Sequence, residues 1–279
     1  MNPSSLQKPS APATESTSAR AGLAVQVAGA SVVFETHDGP VHALKNVSLD
    51  IAEGEFVSFI GPSGCGKTTL MRVIADLESL SSGTVLVNGA SATEARQNGA
   101  YGYVFQAPAL YPWRTVLRNV TLPLEIKGMG AAERKAVAMR QLENVGLAGF
   151  EGKFPWQLSG GMQQRVSIAR ALGFEPKILM MDEPFGALDE ITRDRLNEQL
   201  LQLWAKERRT VIFVTHSIPE AAFLSSKIVV MSARPGRVVE VIESNLPANR
   251  TLDIRESPEF VDIAHRIRVA LRQGESYDG

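Results

Sequence analysis

Hydrophobic and polar positions divide the chain into an N-terminal part that reads as β, a middle stretch that reads as helix, and a frame of short apolar runs. Ala24 to Phe34 is apolar with small residues between, consistent with a strand, and Thr36-His37-Asp38-Gly39-Pro40 is a turn cluster. Val41–Leu44 with Val47–Ile51 reads as a second strand, and Thr84–Val87 as a third. Asn88-Gly89 follows, a dipeptide suited to a tight hairpin turn. Other runs do not alternate: Phe56–Ile60, Tyr101–Phe105, Lys177–Met181, Thr210–Val214 and Lys227–Met231. A short continuous apolar run between polar breaks suits a parallel strand buried on both faces. Arg237–Val241 reads as the last strand. Between Gln106 and Leu172, Pro108, Pro112 and Pro123 punctuate the chain. Ala131–Val145 has helical spacing, Phe154-Pro155-Trp156-Gln157 interrupts it, and Met162–Leu172 reads as helix again. Later helices are predicted after Asp182, with Ile191, Leu196, Leu200 and Leu203 on one side, and over Pro258–Arg272.

One run leads into candidate chemistry. Phe56–Ile60 is followed by GPSGCGKTT and then by the helical stretch Leu70–Ala75. This strand–loop–helix context is the one in which G-x-x-x-x-G-K-[ST] cradles phosphate. Gly61, Gly64 and Gly66 allow a tight loop whose N–H groups point inward, with Pro62, Ser63 and Cys65 between them. The helix that follows adds its positive N-terminal end. Lys67 is placed to reach the β- and γ-phosphates, the Thr68 hydroxyl to hold Mg²⁺, and Thr69 continues the cradle. Three other apolar runs end in polar residues, at Gln106, at Asp182-Glu183 and at His216. In a parallel sheet, ligands bind at the carboxyl ends of the strands, so these distant residues are expected around one site. Asp182 is the candidate Mg²⁺ carboxylate, and Glu183 the candidate base for the attacking water. His216 is placed to bond the γ-phosphate, and Gln106 to sense metal or water. The expected fold is α/β: a P-loop NTPase (RecA-like) core with a parallel sheet, an N-terminal antiparallel β subdomain, and an inserted α-helical subdomain over about 107–172.

Composition narrows the classes. The chain has 279 residues, 44% of them hydrophobic, enough for one large α/β domain. Its 29 basic and 30 acidic side chains leave a net charge of -1, with no basic tail or stripe to hold nucleic acid. Cys65 stands alone, which excludes an intrachain disulfide or a cysteine metal cluster and makes its thiol a candidate reporter of the phosphate loop. No run of about 18 uncharged apolar residues is present to span a membrane. Residues 1–22 are rich in Ser, Pro, Ala and Thr and read as a disordered tail, 23–246 as the ATPase domain, and 247–279 as a short C-terminal helical extension.

LSGGMQQR, Leu158 to Arg165, makes a family resemblance specific. With the phosphate loop, Gln106, Asp182-Glu183, Gly186-Ala187-Leu188-Asp189 and His216, it resembles the ordered motif set of ATP-binding cassette ATPases over about residues 24–245. The resemblance implies ATP and Mg²⁺ as cofactors, and a dimer in which Ser159, Gly160 and Gly161 of one subunit close over the nucleotide of the other. It also implies that Phe34 stacks on adenine, that Val41 contacts base or ribose, and that Asp189 couples the two sites. Met162 stands where the family's commonest form has Gln. Residues 107–124, with Tyr111, Pro112 and Trp113, resemble the importer segment that meets a coupling helix of the membrane subunit. DEPFGALDEITRDRLNEQLLQLW and THSIPEAAFLSSKIVVMSARPGRV are similar to the subgroup serving nitrate, sulfonate, taurine and related solutes. The resemblance implies an importer's ATP-hydrolysing subunit, peripheral on the cytoplasmic face of a bacterial inner membrane, bound to permease subunits and served by a periplasmic or lipid-anchored solute-binding protein. A soluble cassette ATPase of repair or translation and a P-loop small-molecule kinase are the alternatives. The kinase leaves LSGGMQQR unexplained.

Overall fold

The computed structural model describes residues 22–275. The tail expected over 1–22 lies, except for Gly22, outside the described residues, as do 276–279. Strands β1 (Leu23–Thr36) and β2 (Gly39–Ala52) form a hairpin, and β3 (Phe56–Ile60) runs through the glycine-rich loop into α1 (Lys67–Ile74). Then come β4 (Ser82–Val87), β5 (Ala90–Ser91), α2 (Ala92–Gln97) and β6 (Tyr101–Val104). The helical insert comprises α3 (Val116–Ile126), α4 (Ala131–Asn144) and α5 (Gly160–Leu172). The core resumes with β7 (Ile178–Asp182), α6 (Glu190–Glu207), β8 (Thr210–Thr215), α7 (Ile218–Leu224), β9 (Lys227–Met231) and β10 (Val238–Glu243), and α8 (Pro258–Glu275) follows.

Two sheets result. The first is antiparallel, in the order β2-β1-β4-β5. The second runs β10-β9-β3-β8-β7-β6, parallel throughout except for β10. The unalternating runs are all in the parallel sheet, because both of its faces are covered. In β3, Phe56 and Ile60 enter the core that contains Trp204, Phe213 and Phe223, while Val57 and Phe59 enter the core shared with α1 and the antiparallel sheet. Phe56 meets Trp204 edge-on at 5.9 Å between ring centroids. Truncating a ring here, as in Phe213→Ala, removes packing worth about 3–5 kcal/mol. Since β3, β6, β7 and β8 run in one direction, their carboxyl ends lie along one edge of the sheet.

At Asn88-Gly89 both residues have positive φ, 50° and 77°, and Val87 pairs with Ala90 across the expected hairpin. One helical expectation needs correction. Ile191 is 82% exposed, while Leu196 and Leu200 are buried. The five-residue step from Ile191 to Leu196 turns about 140° around a helix, which takes Ile191 off the buried stripe. Helix α3 lies within the helical insert expected over about 107–172, and Pro123 interrupts its pattern without ending it. Thr115 caps the helix by accepting from the Arg118 N–H, and the helix carries Pro123 three residues short of its end.

Candidate active site

The loop after β3 is built by local sterics. Gly64 and Gly66 have φ of 73° and 103°, the left-handed region that a side chain disfavours. Gly61 does not, and its role is proximity: a Cβ there would stand 2.8 Å from Cys65 Sγ and from the Met231 carbonyl oxygen. Lys67 Nζ donates to the carbonyls of Gly61 and Pro62, both at 2.8 Å, so the loop folds around its own ammonium group. Cys65 is fully buried beneath it, and burial pushes its thiol pKa up despite nearby Lys67.

Along the sheet edge, the Thr68 hydroxyl donates to Asp182 Oδ1 at 2.8 Å. Burial raises the Asp182 carboxyl pKa, and the Thr68 bond opposes the shift. Glu183 lies one residue beyond β7 with φ 42°, in the left-handed region. Its N–H donates to the Val214 carbonyl at 3.0 Å, and its own carbonyl accepts from Gly186 N–H at 3.2 Å. A non-glycine residue held there costs about 1–3 kcal/mol, a strain typical of functional sites. The turn aims Glu183 Oε2 at His216 Nδ1, 3.2 Å away, at the end of β8.

These elements bound a cleft of about 620 Å³. Ser63, Gly64, Gly66, Lys67, Thr68 and Thr69 line its floor, Phe34 and Val41 one wall, and Gln106 and Glu183 the far side. Thr36 and Ala43 complete the wall from the antiparallel sheet, and Arg234, missed from sequence, closes the mouth. Gly61, Pro62 and Cys65 belong to the loop but not to the cleft lining. Asp182 sits behind Thr68, and His216 behind Glu183. An oxygen-donor set of one carboxylate, one hydroxyl and the Gln106 amide suits a hard cation such as Mg²⁺, so the residues present fit that ion.

Ser159, Gly160 and Gly161 lie elsewhere. Ser159 Oγ caps α5 by accepting from the Met162 N–H at 3.3 Å, and the two glycines pack against Leu188 and Thr192 at the start of α6. Met162 thus serves the cap through its backbone. Its neighbour Gln163 bonds the carbonyls of Pro155 and Leu158. Asp189 caps α6 by accepting from the Thr192 N–H, which lowers its carboxyl pKa. Two other residues missed from sequence tie α5 to the segment after β6. Gln164 Nε2 donates to the Phe105 carbonyl at 3.3 Å, and the Arg170 guanidinium to the carbonyls of Pro108 and Ala109.

The model of one protein family, described as ABC transporter, matches residues 44–186, just over half of the chain. The chain belongs to the ABC transporter family. It is similar to a taurine import ATP-binding protein of Rhizobium johnstonii, 45% identical over 90% of this chain and 97% of that one. It is also similar to a nitrate import ATP-binding protein of a Synechocystis species, 42% identical over 88% and 93%. Among solved structures it resembles a dimeric ATP-binding cassette in a post-hydrolysis state with ADP and Pi. That likeness has a TM-score of 0.70 and 36% identity, and covers 78% of this chain and 98% of the other. The expected fold of parallel core, antiparallel β subdomain and helices, the ATPase class, and the nitrate, sulfonate and taurine lineage all agree with these relatives. This ABC ATPase binds nucleotide and hydrolyses ATP.

Proposed function

We propose that this chain is the ATP-hydrolysing subunit of an importer of a small solute, with taurine, sulfonates and nitrate the nearest chemical models. The observation that carries the hydrolytic reading is the Glu183–His216 pair at the sheet edge, in which Glu183 lines the cleft floored by the phosphate loop and His216 bonds it from behind. ATP lies with its base toward Phe34 and Val41 and its phosphates over Lys67 and the loop amides. Glu183 takes the proton of the attacking water, and His216 orients that water and the γ-phosphate. Thr68, Asp182 and Gln106 would hold Mg²⁺, which offsets the charge of the β- and γ-oxygens. Lys67 neutralises the same oxygens from the other side.

A dimer is supported by where the signature lies. Residues 159–161 form a helix N-terminus with Ser159 and two glycines, yet none lines the cleft of its own chain. A second chain facing head to tail brings them over the first chain's nucleotide, with Asp189 between the two sites. The membrane partner is supported by the exposed aromatics of the insert, Tyr111 and Trp113, which face solvent beside the Gln106 segment. Permease subunits there would place the chain peripherally on the cytoplasmic face of the membrane, with a solute-binding protein acting indirectly. The test is reconstitution with the permease subunits and binding protein encoded by neighbouring genes. ATP hydrolysis stimulated by the permeases and by loaded binding protein supports the reading. Stimulation by nucleic acid instead would assign the chain to repair or translation.

A further inference from the structure

We propose that Arg234 is a nucleotide-binding residue whose guanidinium contacts the phosphate chain of ATP from the mouth of the cleft. It rests on the ATPase activity and adds a fourth wall to the site. Arg234 lies in the connection between β9 and β10, remote in sequence from the phosphate loop and within the stretch THSIPEAAFLSSKIVVMSARPGRV that resembles the importer subgroup. Its Nε and Nη2 both donate to the Gly64 carbonyl, at 3.3 and 3.1 Å. A guanidinium has five N–H donors, so three remain for a ligand. No carboxylate pairs with it among the described residues. A cation without an acidic partner, anchored on an anion-binding loop and lining the same cleft as Lys67 and Thr69, is complementary to phosphate oxygens.

The surrounding segment is built to hold that position. Gly236 N–H donates to the Ala43 carbonyl at 2.9 Å, and its own carbonyl accepts from Lys45 N–H at 3.0 Å. The connection therefore pairs with β2 beside Ala43, which also lines the cleft. Ser232 Oγ accepts from Arg237 N–H and donates to the Ala233 carbonyl, which closes the turn on itself. From behind, the Gly274 carbonyl near the end of α8 accepts from Ala233 N–H at 3.3 Å, and a Cβ on Gly274 would meet Ser232 Cα at 3.1 Å. The C-terminal helix thus buttresses the turn that presents Arg234.

The experiment is equilibrium binding of ATP, ADP and adenosine to the full chain by calorimetry, for wild type, Arg234→Ala and Arg234→Gln. Loss of a charge-assisted contact predicts that Arg234→Ala binds ATP and ADP about tenfold more weakly and adenosine equally well, with KM for ATP rising by a similar factor. Arg234→Gln keeps a neutral donor for the Gly64 carbonyl. It should stay close to the alanine variant if charge on phosphate matters, and recover to wild type if Arg234 serves only to pin the loop. Recovery in Arg234→Gln, an ATP affinity of Arg234→Ala within about twofold of wild type, or an equal loss for adenosine overturns the inference and leaves the ATPase intact. A wild-type chain that does not bind ATP sinks both.

Discussion

Gly236→Ala is the sharpest single test of how the nucleotide loop is held. A Cβ on Gly236 would stand 2.1 Å from the Cys65 carbonyl oxygen, and 3.2 Å from both the Ala43 carbonyl oxygen and Leu44 Cδ2. Both oxygens belong to backbone, so no side chain can swing away. Relief requires the β9–β10 connection and the phosphate loop to part by about 1 Å, since Cβ contacts below 3.0 Å are essentially absent from real structures. That displacement breaks the two Gly236 bonds to β2, and each buried group left unpaired costs about 1–3 kcal/mol. Allowing for partial relaxation, the net loss is about 2–4 kcal/mol, and at about 2–4 °C per kcal/mol the melting temperature falls by about 4–16 °C. The loop also loses its backing, so ATP affinity falls. A tenfold loss removes about 1.4 kcal/mol of ligand stabilisation at saturating ATP. Thermal melts with and without ATP measure both effects. A variant that melts within about 1 °C of wild type and shows the same ATP shift refutes the claim that this contact holds the loop.

Glu183→Gln should cut ATP hydrolysis by about 10²–10⁴-fold in a phosphate-release assay while ATP binding persists, and native turnover would remove Glu183 from the role of base. Ser159→Ala removes the α5 cap at a cost of about 1 kcal/mol and should also weaken ATP-driven dimerisation, read by light scattering; dimers at wild-type ATP concentrations would count against a signature that reaches the partner's nucleotide. Burial raises the Glu220 carboxyl pKa against the opposing bond from the Thr215 hydroxyl. The stability it contributes is therefore present below its unfolded pKa of about 4.3 and lost as pH rises through the folded value, so Glu220→Gln should gain on wild type in urea melts as pH rises from about 4.5 to 8. Cys65 modification should inactivate the protein, but the buried thiol with raised pKa should label far more slowly than a free thiol and more slowly still with ATP bound; immediate labelling at saturating ATP would contradict the burial.

Much of this architecture is legible in the chain because the parallel strands bury both faces. Their unbroken apolar runs, and the polar residue at each end, mark both the sheet and the edge where chemistry collects. Gln106, Glu183 and His216 could be gathered from sequence for that reason. Three features resisted. Helix α3 carries a proline that pattern reading takes as an interruption, while its cap at Thr115 is a feature of geometry. Ile191 has the composition of a core residue but the wrong angular phase. Arg234 is invisible because nothing local links a turn after β9 to a loop after β3. Only the parallel pairing of β9 with β3 sets them side by side.

The same contacts explain how a site at the sheet edge can move a surface some distance from it. Gln106 follows β6 directly, and the residues on either side of it are fastened to α5: the Phe105 carbonyl by Gln164, the Pro108 and Ala109 carbonyls by Arg170. Farther along, Asn119 donates to the carbonyls of Tyr111, Arg114 and Thr115 while its Oδ1 accepts from Tyr111 N–H, so the loop bearing Tyr111 and Trp113 is fixed to α3. Helices α3 and α5 share one buried core through Val116, Val120, Val166 and Ala169. A close-packed cluster of this kind transmits displacement in preference to absorbing it. If Gln106 shifts toward bound phosphate as proposed, these contacts would carry the shift to the exposed aromatics and to Ser159 at the start of α5. In the proposed dimer and transporter, the nucleotide, this chain's own signature and the surface offered to the permease would be three loads on one body.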